Sequence, residues 1–91
     1  MDWDVYSFTI RTKLRRDMLT ALQEPKTPTQ IGKEVDSSVS HVSRNLKQFM
    51  EKGVARCLTP KLKMGRVYEL TKLGKEILNQ HQKSVGSKAD A

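Results

Sequence analysis

The chain has 91 residues, which is enough for one domain with a modest core, and its 36% hydrophobic and 30% charged residues are typical of a globular protein. No apolar run approaches the ~18 residues of a membrane span, and the single cysteine excludes both an intrachain disulfide and a multi-cysteine zinc site. The net charge of +7 indicates an anionic partner, either a nucleic acid or a membrane surface.

The N-terminal segment, residues 2–10, predicts a short helix. Trp3 and Tyr6 have helical spacing, although the segment also shows partial alternation. The first four residues include two aspartates and lack the basic-then-apolar order of a signal peptide. We therefore expect a cytoplasmic protein.

A second helix is predicted after Thr12, which is a suitable N-cap. Its apolar stripe follows the spacing of one buried face and consists of Leu14, Met18, Leu19 and Leu22. Four basic residues are expected on or beside its polar side: Arg11, Lys13, Arg15 and Arg16. The segment 24–26 ends the helix.

Two capped helices joined by a short polar turn are predicted next, as in a helix-turn-helix. Thr27 is the expected N-cap of the first, with Pro28 at its first position and Gln30 completing a capping box. Residues 36–38 break this helix. Ser38, or alternatively Ser37, caps the second, which runs to residue 52 and stops at Gly53.

Beyond Gly53 the pattern changes from helix to strand. Residues 54–59 and 66–71 are predicted strands around a loop with glycine at its end. Thr71 then caps a last helix with the stripe Leu73, Ile77, Leu78 and His81. The order predicts a mainly α fold with a small β-hairpin (α+β): a winged helix-turn-helix with a three-helix core, a two-stranded wing and a C-terminal helix. The domain is expected at 1–83, with a flexible tail at 84–91.

The positive charge is concentrated in one part of the chain. Residues 38–66 hold seven basic residues and one acidic residue, so this segment contributes +6 of the net +7. On a helical projection of about 100° per residue, the apolar side chains of the predicted helix that starts at Ser38 share one face: Val39, Val42, Leu46, Phe49 and Met50. Ser40, Arg44 and Lys47 lie almost opposite.

This distribution predicts a DNA-binding surface formed by the recognition helix, about 38–52, and the wing, about 59–66. The candidate contacts are Ser38, Ser40, His41, Ser43, Arg44, Lys47, Lys61, Lys63 and Arg66. A guanidinium can pair with a guanine edge or a phosphate, whereas a lysine is better suited to the backbone. The alternative is an ordinary solvated helix face and loop tip. Arg56 and Glu69 are not counted among the candidate DNA contacts, because they can pair with each other across the two strands.

A metal site or an active site is not expected. His41, Cys57 and His81 are too scattered for a metal motif, and Cys57 fits a small apolar strand residue. His41 and Ser43 diverge on a helix because they are two residues apart. The sequence has no paired catalytic carboxylates or phosphate-binding glycine loop. We expect no cofactor and no enzymatic activity.

Several segments together resemble the ArsR- and MarR-type winged helix regulators, particularly their small archaeal members. They are 27–31, 42–46, 51–54, 57–60 and 65–71, with Gly74 and the pair Trp3 and Arg15. The resemblance covers roughly residues 3–80 and lies in the order and spacing of the segments.

The resemblance implies a DNA-binding transcriptional regulator that contacts DNA through the recognition-helix residues and wing named above. It also implies a homodimer on a palindromic operator. The chain lacks the ligand clusters of metal sensors and the long terminal helices of typical MarR proteins. Candidate dimer contacts, some of which can instead close the monomer core, are Trp3, Tyr6, Phe8, Leu73, Ile77 and Leu78. The alternative function is a winged-helix module for RNA or protein contacts within a larger transcription complex.

Overall fold

The structure, a computed structural model, describes the backbone of residues 2–90 and the side chains of residues 2–84. Its elements are α1 (Trp3–Ile10), α2 (Lys13–Ala21), α3 (Pro28–Val35), α4 (Val39–Glu51), β1 (Ala55–Cys57), β2 (Tyr68–Leu70) and α5 (Lys72–Asp90). This confirms the predicted mainly α fold with a small β-hairpin. Within the described range, no helix has both the length and the apolar character of a membrane span.

The helix starts are fixed by side-chain caps, most of which the sequence predicted. Thr12 accepts a hydrogen bond from the Arg15 backbone N–H at 3.2 Å, and Ser38 accepts one from His41 at the same distance. Thr27 and Gln30 form the reciprocal capping box at the start of α3. The cap of α1 was not predicted: Asp2 accepts from the backbone N–H groups at the start of that helix.

The turn between α3 and α4 is tight and depends on two special positions. Asp36 adopts the left-handed conformation at φ 55°, which ends α3. A Cβ placed on Gly32 would lie 2.9 Å from the Ser37 carbonyl oxygen, so glycine allows the turn to close against α3. The helix-turn-helix geometry follows from these two residues.

The core is formed by α2 to α5 and the hairpin, and partly buried apolar residues of α1 pack against it. Its buried apolar residues are Met18, Leu19, Ala21, Leu22, Ile31, Val42, Leu46, Phe49, Val54, Ala55, Tyr68, Leu70, Ile77 and Leu78. The predicted apolar arc of α4 was too wide. Val39 is 45% exposed and Met50 37% exposed, because they lie at the two ends of the helix, beyond the elements that cover its middle.

The hairpin is shorter than predicted. β1 and β2 pair antiparallel, with Ala55 opposite Leu70 and Cys57 opposite Tyr68. One further backbone bond joins Leu58 to Val67 at 2.7 Å, and then the Thr59 hydroxyl accepts the Val67 N–H at 2.9 Å. The Thr59 hydroxyl thus takes the place of a backbone carbonyl as the acceptor for Val67, and the regular strand pairing ends here.

A third strand-like pairing was missed by the sequence analysis. Lys26, between α2 and α3, exchanges two backbone hydrogen bonds with Tyr68, at 3.0 and 2.9 Å. A single bridging residue has no alternating pattern that a sequence could show. This bridge joins the wing to the start of the helix-turn-helix.

Helix α5 is attached to the rest of the domain through Thr71 and Gly74. The Thr71 hydroxyl accepts the Gly74 N–H at 3.1 Å and donates to the Gly53 carbonyl. Ile77 and Leu78 are buried in the core. The predicted flexible tail, residues 84–91, lies mostly outside the residues whose side chains are described. The division of the chain into a domain at 1–83 and this tail therefore stays a prediction.

We expect Gly74→Ala to destabilise the domain strongly. A Cβ on residue 74 would lie 2.1 Å from the Val54 carbonyl oxygen and 3.1 Å from Leu70 side-chain atoms. The overlap should exceed the helix-propensity gain of alanine and cost about 3 kcal/mol of unfolding free energy. Urea denaturation measures this. Lys75→Ala, on the exposed side of the same turn, is the control and should stay within about 0.5 kcal/mol; equal effects would contradict the close packing.

Candidate nucleic-acid interface

Helix α4 presents a polar face to solvent. Ser40, His41, Ser43, Arg44 and Lys47 are all exposed. The opposite face is buried, so the helix cannot turn without exposing its apolar side chains. The face therefore holds hydroxyl, imidazole, guanidinium and ammonium groups in a fixed orientation. Ser38 is also exposed, but its hydroxyl already caps α4.

The wing adds three exposed cations: Lys61, Lys63 and Arg66. Its turn is held by the Leu62 N–H, which donates to the Thr59 carbonyl at 3.1 Å, and by Gly65 at φ 69°. The Arg66 Nε donates to the Leu62 carbonyl, which ties this side chain across the loop. The cations consequently lie on a folded loop.

The structure brings part of α4 and part of the wing together. Ser43 of α4 and Lys63 and Arg66 of the wing line one groove of about 430 Å³. Thr27, Pro28 and Thr29 at the start of α3 line it too. Arg44, Lys47 and Lys61 do not line this groove, so the predicted residues form a wider surface around it.

Few acidic groups oppose this positive surface. Among the side chains that the structure describes, the ion pairs are Lys13–Asp17, Lys26–Glu34 and Arg56–Glu69. None of the predicted DNA contacts takes part in them. The pairing of Arg56 with Glu69 across the hairpin, with the Arg56 Nε 2.7 Å from a Glu69 carboxylate oxygen, was expected from the sequence.

Arg15 has a role that the sequence analysis missed. The sequence predicts it on or beside the polar side of α2, but its guanidinium is half-buried and donates to Asn45 at 3.2 Å, Gln48 at 3.3 Å and the Phe8 carbonyl at 3.1 Å. It also stacks 4.0 Å from the Phe8 ring centroid. Arg15 thus links α1 and α2 to the polar edge of α4. Asn45 and Gln48 directly precede Leu46 and Phe49 of the apolar stripe, and nothing in the sequence pattern identifies Arg15 as their partner.

The predicted dimer residues lie in different environments. Ile77 and Leu78 are buried within the monomer, while Tyr6, Phe8 and Leu73 are partly buried against the core. Trp3 is 59% exposed and packs edge-on against Tyr6, with ring centroids 5.4 Å apart. Trp3 is therefore the member of the set most available to a second subunit.

The described residues contain no group of three or more histidine, cysteine, aspartate or glutamate side chains arranged to hold a metal ion. Cys57 lies in β1 and is partly buried, as the sequence predicted for a strand residue.

We expect Arg15→Met to destabilise the domain by about 2–3 kcal/mol. The substitution keeps an unbranched apolar stem but removes three hydrogen bonds and leaves partly buried acceptors on Asn45, Gln48 and Phe8. Thermal or urea unfolding measures the loss. Lys13→Met on the same helix, whose side chain is 81% exposed, should change stability by no more than about 0.5 kcal/mol. An Arg15→Met protein as stable as the control would show that the network contributes nothing.

Comparison with solved structures supports the fold. The MarR family transcription regulator SP03579 superimposes with a TM-score of 0.79 at 23% identity, covering 97% of this chain and 62% of that one. A mutant MarR from E. coli complexed with operator DNA gives 0.75 at 24% identity, covering 93% and 63%. BldR from Sulfolobus solfataricus gives 0.75 at 16% identity, covering 96% and 65%. The chain thus spans less than two thirds of each regulator.

No curated protein matches the sequence. A family profile described as the HVO_A0261 N-terminal domain matches residues 3–89, which is nearly the whole chain. With its mainly α architecture and two-stranded wing, the chain has the MarR-type winged-helix fold and belongs to the HVO_A0261 N-terminal domain family.

Proposed function

We propose that this domain is a sequence-specific, double-stranded DNA-binding transcriptional regulator. The recognition helix, 38–52, enters the major groove, and the wing, 59–66, lies on the backbone or in the adjacent minor groove. The observation that supports this best is that Ser43, on the exposed polar face of α4, lines one groove together with the wing cations Lys63 and Arg66. The width of a major groove admits an α-helix.

The residues on this surface have different roles in the proposal. Arg44 makes a bidentate contact with a guanine edge or holds a phosphate. Ser40, His41 and Ser43 contact phosphates or base edges near the start of α4, where the helix dipole also favours an anion. Lys47 contacts the backbone, together with the wing lysines Lys61 and Lys63, while Arg66 extends the contact at the wing base.

The structural neighbours support this proposal at the level of fold. They are named as transcription regulators, and the E. coli MarR mutant was solved with operator DNA. A protein that contains this architecture was therefore solved in complex with DNA. The roles of the individual residues rest on the charge and exposure of this chain's own side chains.

We also propose that the domain acts as a homodimer. Two recognition helices related by a two-fold axis would contact half-sites about one DNA turn apart. Trp3, with its large exposed ring, lies on α1, which packs against both α2 and α5. Tyr6, Phe8 and Leu73 provide adjoining partly buried surface. Ile77 and Leu78 support this interface from inside the core.

The experiment that tests the function is selection of bound duplexes from a random DNA pool at physiological salt. A recurring inverted repeat with half-site centres about 10 base pairs apart is expected for a dimer. A single short motif without symmetry would contradict the dimer, and an unenriched pool would contradict sequence specificity. Duplex RNA of matched sequence should bind more weakly, because the A-form major groove does not admit a helix. Equal affinity would favour the RNA-binding alternative.

On the selected operator, we expect Arg44→Ala to weaken binding by about 1–3 kcal/mol and to relax the base preference at one position of each half-site. Lys63→Ala should weaken binding evenly across sequences and reduce the slope of log K against log[salt] by about 0.9 for each phosphate that the wing no longer neutralises. Fluorescence anisotropy over a salt series measures both. Lys75→Ala, an exposed cation on α5, is the control and should leave affinity nearly unchanged. Unchanged affinity in Arg44→Ala would refute the recognition-helix assignment.

A further inference from the structure

The groove between α4 and the wing has two kinds of surface. Thr29, Ser43, Lys63 and Arg66 supply hydroxyl and cationic groups, whereas Val39 and Met64 supply apolar ones. Val39 is 45% exposed and Met64 86% exposed, the highest value among the large apolar side chains that the structure describes. Three separate elements, α3, α4 and the wing, thus place apolar and anion-binding groups side by side.

Duplex geometry identifies what passes between a helix in the major groove and a wing in the neighbouring minor groove. The two grooves of B-DNA are separated by a single sugar–phosphate strand. If α4 occupies one groove and the wing the other, that strand must cross the space between them. In this chain, the groove of about 430 Å³ is lined by Val39 and Ser43 of α4 and by Lys63, Met64 and Arg66 of the wing.

We propose that the groove is a binding site for one deoxyribose–phosphate strand of the duplex, with the sugar packed on Val39 and Met64 and the phosphates held by the surrounding hydroxyls and cations. The inference rests on the proposed function and adds a specific substrate chemistry to it. It also gives a reason for the exposure of Val39, which the helical pattern assigns to the core.

The polar part of the groove is suited to phosphate. Among the described side chains, neither Lys63 nor Arg66 forms an ion pair. The Arg66 Nε is used to hold the loop, and its terminal N–H groups remain for an anion. Lysine and arginine at a groove edge bind phosphate by charge, with a strong salt dependence.

The apolar part of the groove is suited to the sugar and selects DNA over RNA. Deoxyribose presents C–H groups where ribose carries its 2′-hydroxyl. Packing a ribose there would remove water from that hydroxyl without offering a hydrogen-bond partner on Val39 or Met64. The groove therefore discriminates by sugar chemistry as well as by helix form.

The first test uses variants that change polarity without changing charge. Val39→Thr keeps the shape of the side chain, and Met64→Gln keeps an unbranched chain of similar length at an exposed position. Each should weaken binding to the selected operator about three- to tenfold, with no change in the salt slope. Leu58→Gln is the matched control, because Leu58 is an exposed apolar residue just before the wing and outside the groove; it should bind like the unaltered chain. Circular dichroism melting confirms that all variants are folded.

The second test places single ribonucleotides at successive positions of the operator. One position in each half-site should reduce the affinity of the unaltered chain about three- to tenfold, because its 2′-hydroxyl meets the apolar surface. The double variant Val39→Thr with Met64→Gln should lose that penalty. If Val39 and Met64 acted only by supporting the fold, replacing them would not remove the loss of affinity that a ribonucleotide causes at one position.

The outcomes distinguish a failure of the proposed sugar–phosphate site (below, the strand site) from a failure of the proposed function. If the operator binds and Arg44→Ala weakens it, but Val39→Thr and Met64→Gln bind normally, the strand site is refuted while the regulator function stands. If the unaltered chain binds no duplex DNA, the proposed function itself fails. A ribonucleotide penalty that persists unchanged in the double variant also overturns the sugar contact.

Discussion

The burial of one face of α4 is the constraint on which the rest of the interface depends. Val42, Leu46 and Phe49 are almost completely removed from solvent in the middle of the domain. Each such side chain contributes about 1.5–3 kcal/mol relative to an exposed position. A rotation of the helix that hid its polar face would expose them. The outward orientation of Arg44 and Lys47 is therefore maintained by the hydrophobic core.

Polar contacts add to the positioning of α4 by the hydrophobic core. Arg15 reaches from α2 to Asn45 and Gln48 at the edge of α4 and to the carbonyl of Phe8 in α1. Directional hydrogen bonds restrict sliding and rotation in a way that apolar contacts alone do not. Because α1 also carries the exposed Trp3, the same arginine connects the proposed dimer surface to the recognition helix.

The wing is positioned by backbone contacts far from its tip. Lys26 pairs with Tyr68 at the base of the hairpin, and Gly74 lets α5 approach the Val54 carbonyl on the other side. These contacts fix where the loop leaves the domain and hence its distance from α4. The groove between the two consequently combines cationic groups with apolar surface. In the proposed complex with DNA, the cationic groups would make the affinity depend on salt, whereas the apolar surface would not.

The local chemistry of the chain was sufficient to predict most of the helix boundaries and the exposed face of α4. Caps such as Thr12, Thr27 and Ser38 act within three residues, and the 3.6-residue period separates buried from exposed positions. Local signals did not predict the Lys26 bridge, the Arg15 network or the exposure of Val39, because each depends on residues that meet only after the helices pack. The sequence by itself determined that a basic, amphipathic helix and a β-hairpin follow one another in the chain. Only the tertiary structure decided that they form opposite sides of one groove, since that distance is set by long-range packing.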